Sequence, residues 1–312
     1  MIGKDVALAA SLLQEGKLVA IPTETVYGLG ANALDTHAIS SIYSVKNRPT
    51  FNPLILHFSS WEAAQPYVQD VPKEIAELAA IFCPGSLSFL LPKTDLVPDI
   101  VTAGSDKVVV RVPNHPLTLD LLSQLDFPLA APSANVSNTV SPTTAEHVEL
   151  SIGPNISYIL DGGNSNVGLE STIMECVNGE IIILREGGVS KEELAANTEL
   201  AVKSYSGNTI STPGQLGKHY ATRKPLVIVK DLKTYLASGK VDCTVLAFDE
   251  SVEAENCIYL SRSYDLNEIA SNLFAAMRLA DTHTTSHIAV AQIKEEGIGR
   301  AIADRLKRAS TK

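Results

Sequence analysis

Thr23, Thr25, Lys46, Arg48, Asn52, His57, Arg111, Ser133, Asn135, Ser141 and Ser171 stand at the edges of apolar segments, where polar side chains have no packing role. Hydroxyl, amide and cationic groups of this kind read the oxygens of phosphates and carboxylates. Scattered as they are, without a Walker-type glycine loop, they describe a nucleotide site assembled from many segments.

Lys46 and Arg48 close the helical pattern THAISSIYSVK and lead into KNRPTFNPL, where Pro49 and Pro53 stop the helix and hold the chain extended. Both cations are expected to project from this stiffened loop. Arg offers a planar fork and Lys a point charge, a pair suited to a triphosphate. Complementing a helix C-terminus is the plainer reading of the same two residues.

Ser133 and Asn135 follow FPLAAP, and Ser141-Pro142 leads into TTAEHV, where Thr143 and Glu146 have capping-box spacing. A helix N-terminus there offers free N–H groups to phosphate oxygens. Capping alone explains Ser141 and Thr143 but not the S-x-N pair. Arg111 lies within the apolar strand VVVRVP and needs a carboxylate, supplied either by an internal Asp or Glu or by a small acidic ligand. His57, ending NPLILH, reads by itself as a satisfied polar group. GLGANA matches a dinucleotide fingerprint, but PTETVY intervenes after the strand and TFNPLI offers no ribose-binding acid. These glycines are read as loop positions near a ligand.

The elements that must position these groups alternate. LVAIPT, NPLILHF, SLSFLL, VVVRVP, FPLAAP and SYILD read as strands, with THAISSIYSVK, VPKEIAELAAIF, HPLTLDLLSQL and TTAEHVELSI as helices between them. STIMECVNGEIIILRE is a hairpin about Asn178-Gly179, so the first sheet is mixed. VKSYSGNTISTPGQLGKHYATRK loses periodicity and marks a linker. Beyond it PLVIVKD, CTVLAFD, CIYLS and HIAVAQI alternate with helical segments, as in a small Rossmann-like parallel sheet. The fold class is α/β throughout.

Composition narrows the function. With 312 residues, 45% hydrophobic and 19% charged, the chain has material for two buried cores. Lys and Arg number 25 against 35 Asp and Glu, a formal charge of −10. A broad electrostatic grip on nucleic acid or anionic membrane is therefore disfavoured, and direct tRNA binding is doubtful. Cys83, Cys176, Cys243 and Cys257 lack C-x-x-C spacing and read as isolated thiols in a reducing compartment. MIGKDVALAASLLQEG reads as an amphipathic helix and not a signal peptide, and no apolar run is long enough to span a bilayer. The expectation is a soluble cytoplasmic protein with no metal site built from protein ligands alone.

PTETVYGLGANA, KNRPTFNPLILH, VVVRVPNHP, AAPSANVSNTVSPTTAEHV and GLESTI, in this order, resemble the YrdC-like threonylcarbamoyl-AMP synthases. STPGQLGKHYATRKPL, NLFAAMRLAD and GRAIADRLKRAS resemble the linker and C-terminal domain of that family's two-domain form. The resemblance implies a YrdC-like twisted mixed sheet with helices over residues 1–201, a linker over 202–224 that folds over the site, and a smaller Rossmann-like domain over 225–312. It implies an L-threonine carbamate, formed with bicarbonate, attacking the α-phosphorus of ATP. The products are threonylcarbamoyl-AMP and pyrophosphate, with Mg²⁺ arriving on ATP, and a downstream threonylcarbamoyl transferase complex modifies tRNA.

By the family pattern Thr25, His57, Arg111, Ala131 and Ser171 hold threonine. Lys46, Arg48, Asn52, Lys107, Ser133, Asn135, Ser141, Arg185 and Tyr220 hold ATP, with Lys46 and Arg48 as the catalytic cations. Lys218, His219 and Tyr220 cluster in the linker, and Tyr220 is expected to close over the nucleotide. The chain departs from the pattern at Ser86 and Ser88, at HYAT, and at SNTVSP, which lacks a glycine. The competing readings are an RNA-binding or ribosome-maturation module and a carbamoyl transferase of the hydrogenase-maturation type.

Overall fold

The computed structural model describes residues 1–205, 219–239 and 242–311. Eleven strands form one sheet: β1 (Ile2–Gly3), β2 (Val19–Ile21), β3 (Gly28–Asn32), β4 (Ile55–His57), β5 (Leu87–Pro92), β6 (Lys107–Arg111), β7 (Leu129–Ala130), β8 (Tyr158–Leu160), β9 (Thr172–Val177), β10 (Glu180–Arg185) and β11 (Ala201–Ser204). Their spatial order is β1-β8-β2-β3-β7-β4-β6-β5-β9-β10-β11. The sheet is mixed, with β4 parallel to β6 and β5 parallel to β9, while β5–β6 and β9–β10 are antiparallel. The β9–β10 hairpin turns at Asn178 and Gly179, both at positive φ, as its Asn-Gly pair demands.

This sense of pairing sets up the site. The C-terminal ends of β4, β6 and β10 and the N-terminal ends of β5 and β9 lie at one edge, so His57, Arg111, Ser171 and Arg185 come together although far apart in sequence. Helix Thr36–Lys46 runs up to that edge. Asp35 caps its start by accepting from the N–H groups of His37 and Ala38, and Asn47, at φ 50, ends it in the left-handed conformation with Pro49 barring continuation.

Two local expectations are corrected. GLGAN is strand β3 and not loop, because its glycines let the sheet close up: a Cβ on Gly28 would lie 3.2 Å from that of Ala131. The cap of helix Ala145–Ile152 is Thr144, whose hydroxyl accepts from the His147 N–H, and not Thr143.

The second sheet is all parallel, ordered β12 (Leu226–Val229), β15 (His287–Ala291), β13 (Cys243–Ala247) and β14 (Cys257–Tyr259). It does not sit apart from the first. Val26, Val140, Leu169 and Tyr220 share one core cluster with Phe274, Met277, Ile302 and Leu306 of the C-terminal helices. Gly168, at φ 71, admits helix Leu266–Ala280 so closely that a Cβ there would meet the Ser271 backbone at 2.5 Å. Strand β11 extends the large sheet through Ser204. Of the segment read as linker, residues 206–218, including Lys218 and STPGQLG, lie outside the described residues.

Candidate functional site

A cleft with about 540 Å³ of empty space, part of it open to solvent, lies at the shared strand edge. Thr25, Arg48, His57, Arg111, Ala131, Ser133, Ser171, Arg185 and Tyr220, all expected at the site, line it together with Glu170 and His219. Its lining carries three guanidinium groups and one carboxylate, a local excess of positive charge in an acidic chain. Such a set can grip a polyanion without a basic surface.

Each cation is held by its own framework. Arg48 donates from Nη2 to Asn52 Oδ1 and Pro53 O, both at 2.7 Å, and from Nε to Asn52 O at 3.1 Å. Burial lowers its pKa to about 10. Arg185 donates to the carbonyl and hydroxyl oxygens of Ser171 at 2.8 and 3.0 Å, and burial lowers it likewise to about 10. The Ser171 hydroxyl also meets that of Ser88 at 2.8 Å. Thr25 is fixed by the Thr23 hydroxyl at 2.8 Å.

Arg111 has the internal carboxylate that its apolar strand called for. Its Nη2 donates to Glu24 Oε1 at 2.7 Å, with both side chains buried, and Nε reaches Gly85 O at 3.4 Å. Ser86 donates to the same Glu24 oxygen at 3.3 Å. Beside Arg111, His57 sits with Nδ1 3.2 Å from Ile55 O, and burial, then the Arg111 charge, lower its pKa to about 3. It is a neutral imidazole at physiological pH.

Glu170 forms part of the cavity wall. It accepts from Ser141 Oγ at 2.7 Å and from Arg305 Nε at 3.0 Å. Burial opposes its ionisation, yet Arg305 and Arg185 outweigh that and bring the pKa down to about 2. His219 is pressed to about 3 by burial, and its Nδ1 is buried without a partner among the described residues. Its ring packs edge-on against Tyr220 at 4.0 Å, and Tyr220 stacks on Phe274 at 5.3 Å.

Five of the expected residues stand off the cavity. Lys46 does not project from the loop: it is buried, and its Nζ donates to the carbonyls of Ser133 and Asn135, tying helix Thr36–Lys46 to that turn. Burial, with Arg48 next, presses its ammonium well below the usual range. Asn52 faces Arg48. Asn135 donates to Val136 O, Thr139 O and the Thr139 hydroxyl, bracing the turn. Ser141 is turned to Glu170. Lys107 begins β6, some 13 Å along the strand from Arg111 at about 3.3 Å per residue, and pairs with Glu175. Glu24 and Glu170 were not singled out in the sequence. The signal was present in PTETVY and GLESTI, as acids among residues otherwise apolar or hydroxylated.

The model of one family, described as "Telomere recombination" (Sua5, yciO, yrdC), matches residues 11–187. That of another, "Threonylcarbamoyl-AMP synthase, C-terminal domain", matches residues 189–311. The threonylcarbamoyl-AMP synthase of Pyrococcus abyssi is 38% identical, over 98% of this chain and 94% of its own. This chain belongs to the threonylcarbamoyl-AMP synthase family. A crystal structure of P. abyssi Sua5 complexed with L-threonine is similar over 99% of this chain and 97% of that one, with TM-score 0.91 and 35% identity. A P. abyssi Sua5 variant with a consecutive histidine and tyrosine changed to alanine gives TM-score 0.89 at 36% identity, over 98% and 92% of the two chains.

Family membership makes the protein an enzyme, and a synthase in preference to an RNA-binding module or a hydrogenase-maturation carbamoyl transferase. Among the described residues no helix is long and apolar enough to cross a membrane, and no three His, Cys, Asp or Glu side chains gather to hold a metal ion.

Proposed function

We propose that this protein is a nucleotidyltransferase that makes L-threonylcarbamoyl-AMP and pyrophosphate from L-threonine, bicarbonate and ATP. The observation that carries the reading is the single cavity joining Arg48, Arg111 and Arg185 to the hydroxyls of Thr25, Ser133 and Ser171. The P. abyssi relative complexed with L-threonine supports an amino-acid end to it.

In this reading the threonine amine displaces water from bicarbonate to form a carbamate. A carbamate oxygen then attacks the α-phosphorus of ATP while the bond to the bridging oxygen of the pyrophosphate breaks. No protein nucleophile is needed. The site supplies proximity, about 7–11 kcal/mol at best, and a dry enclosure for a short-lived nucleophile. Arg48 and Arg185, already oriented by Asn52 and Ser171, stabilise the charge gathering on the leaving pyrophosphate. Glu24 and Gly85 engage Nη2 and Nε of Arg111, so the threonine carboxylate takes Nη1. Lys46 acts through the Ser133–Asn135 turn that it holds.

Glu24 and Glu170 are engaged by arginines, so Mg²⁺ enters as part of the ATP substrate. His219–Tyr220 is the chain's one consecutive His-Tyr pair, the dipeptide replaced in the P. abyssi variant, and in this reading it roofs the nucleotide. The product passes to a transferase that modifies tRNA adenosine beside the anticodon. Omitting ATP, bicarbonate and threonine in turn tests the reaction. Each omission abolishes pyrophosphate release, and release that continues without threonine contradicts the reading.

A further inference from the structure

Arg305, on the C-terminal helix Gly299–Ser310, is fully buried, which is costly for a guanidinium unless it is paired and hydrogen-bonded. Its Nε donates to Glu170 Oε2 at 3.0 Å, and its Nη1 donates to Glu186 O at 2.8 Å. Its guanidinium also lies over the Tyr220 ring, 5.4 Å from the centroid. Glu170 and Tyr220 both line the cavity, whereas Arg305 does not. One side chain of the second sheet's layer thus touches both a wall carboxylate and the roofing aromatic. Arg278, from helix Leu266–Ala280, adds a second tie by donating to the carbonyls of Val140 and Ser141.

We propose that Arg305 is a positioning residue through which the docked C-terminal helices set Glu170 and Tyr220 for ATP binding. Without Arg305, Glu170 retains the Ser141 hydroxyl and leans more heavily on Arg185, the next cation acting on it, and Arg185 is a phosphate ligand in the reading above. Arg305 therefore preserves the positive charge of the nucleotide end, and the second domain is part of the nucleotide site without touching ATP.

The inference rests on the synthase reading, so its test reads binding separately from turnover. Calorimetry on the full chain compares wild type, R305M, E170Q and the double variant for ATP and for threonine. Arg305→Met weakens ATP binding by about tenfold and leaves threonine within about twofold, and the double variant loses no more than the larger single loss, because the two residues act through one another. The double variant also melts above R305M, since the Glu170 charge that Arg305→Met leaves buried without its partner is gone. Arg305→Lys, with the charge but not the fork, falls between wild type and R305M. Additive losses, or an equal decline of ATP and threonine affinity, overturn the proposal. Wild-type protein that binds both ligands yet releases no pyrophosphate overturns the synthase reading instead.

Discussion

In the eleven-stranded sheet the edge at His57, Arg111, Ser171 and Arg185 is polar and faces a cavity, whereas the four-stranded sheet ends its strands in Val229, Ala247, Tyr259 and Ala291. Parallel sheets of the second kind commonly bind ligands at those ends. Here its contribution comes from helix faces instead, as Phe274, Arg278 and Arg305 reaching back to Tyr220, Ser141 and Glu170. The difference lies in strand sense. A mixed sheet brings starts and ends of strands to one edge and so gathers groups from many segments, while the small parallel sheet serves as a rigid backing for the helices that brace them.

Breaking the polar edge has the largest expected effect. Arg111→Ala leaves Glu24 buried and unpaired and lowers stability by roughly 3–5 kcal/mol in urea unfolding. Combining Arg111→Met with Glu24→Gln recovers most of that. A loss well below this range for Arg111→Ala means that the pair is not shielded from water.

Acid sharpens the same contrast. Glu170 titrates at about 2 in the folded protein against an ordinary 4.5, so its stabilisation is complete above pH 4.5 and disappears as pH falls toward 2. His57 and His219, at about 3 against 6.5, bind fewer protons folded than unfolded, and stability therefore declines as pH drops from 6.5 toward 3. Urea midpoints across pH check both, since the E170Q variant loses the lower slope and a His57→Gln variant part of the upper one.

Ser141→Ala, which removes one hydrogen bond to Glu170, costs about 1 kcal/mol in the same assay. Lys107→Ala lies at the far end of β6 in a partly exposed pair and changes stability by less than about 1 kcal/mol, with the pyrophosphate-release rate unaltered. A large rate loss there would mean that the site extends beyond the cavity.

Much of this was legible in the sequence, because strands and helices announce themselves by periodicity. THAISSIYSVK is the helix Thr36–Lys46, and the Asn-Gly hairpin forms as its turn chemistry requires. Ordered motifs pointed to residues that do meet at one cavity, such as Arg48, His57 and Arg185. Side-chain direction was not legible. Lys46 and Arg48 are two positions apart, and the helix end at Asn47 sends one into the interior and leaves the other on the cavity. Glycines in GLGAN read equally as loop or strand until the neighbouring Ala131 is known. The acid partners Glu24 and Glu170 depended on Arg111 and Arg305, which only the fold brings near.

The proposed reaction joins threonine, bicarbonate and ATP into a single adenylate in one cavity. Supplying ¹³C-bicarbonate and following the nucleotide product by mass spectrometry tests it most directly. The account predicts an AMP adduct that carries threonine and the labelled carbon together. An adduct of threonine and AMP without the label, or no adduct beside free AMP, would contradict it.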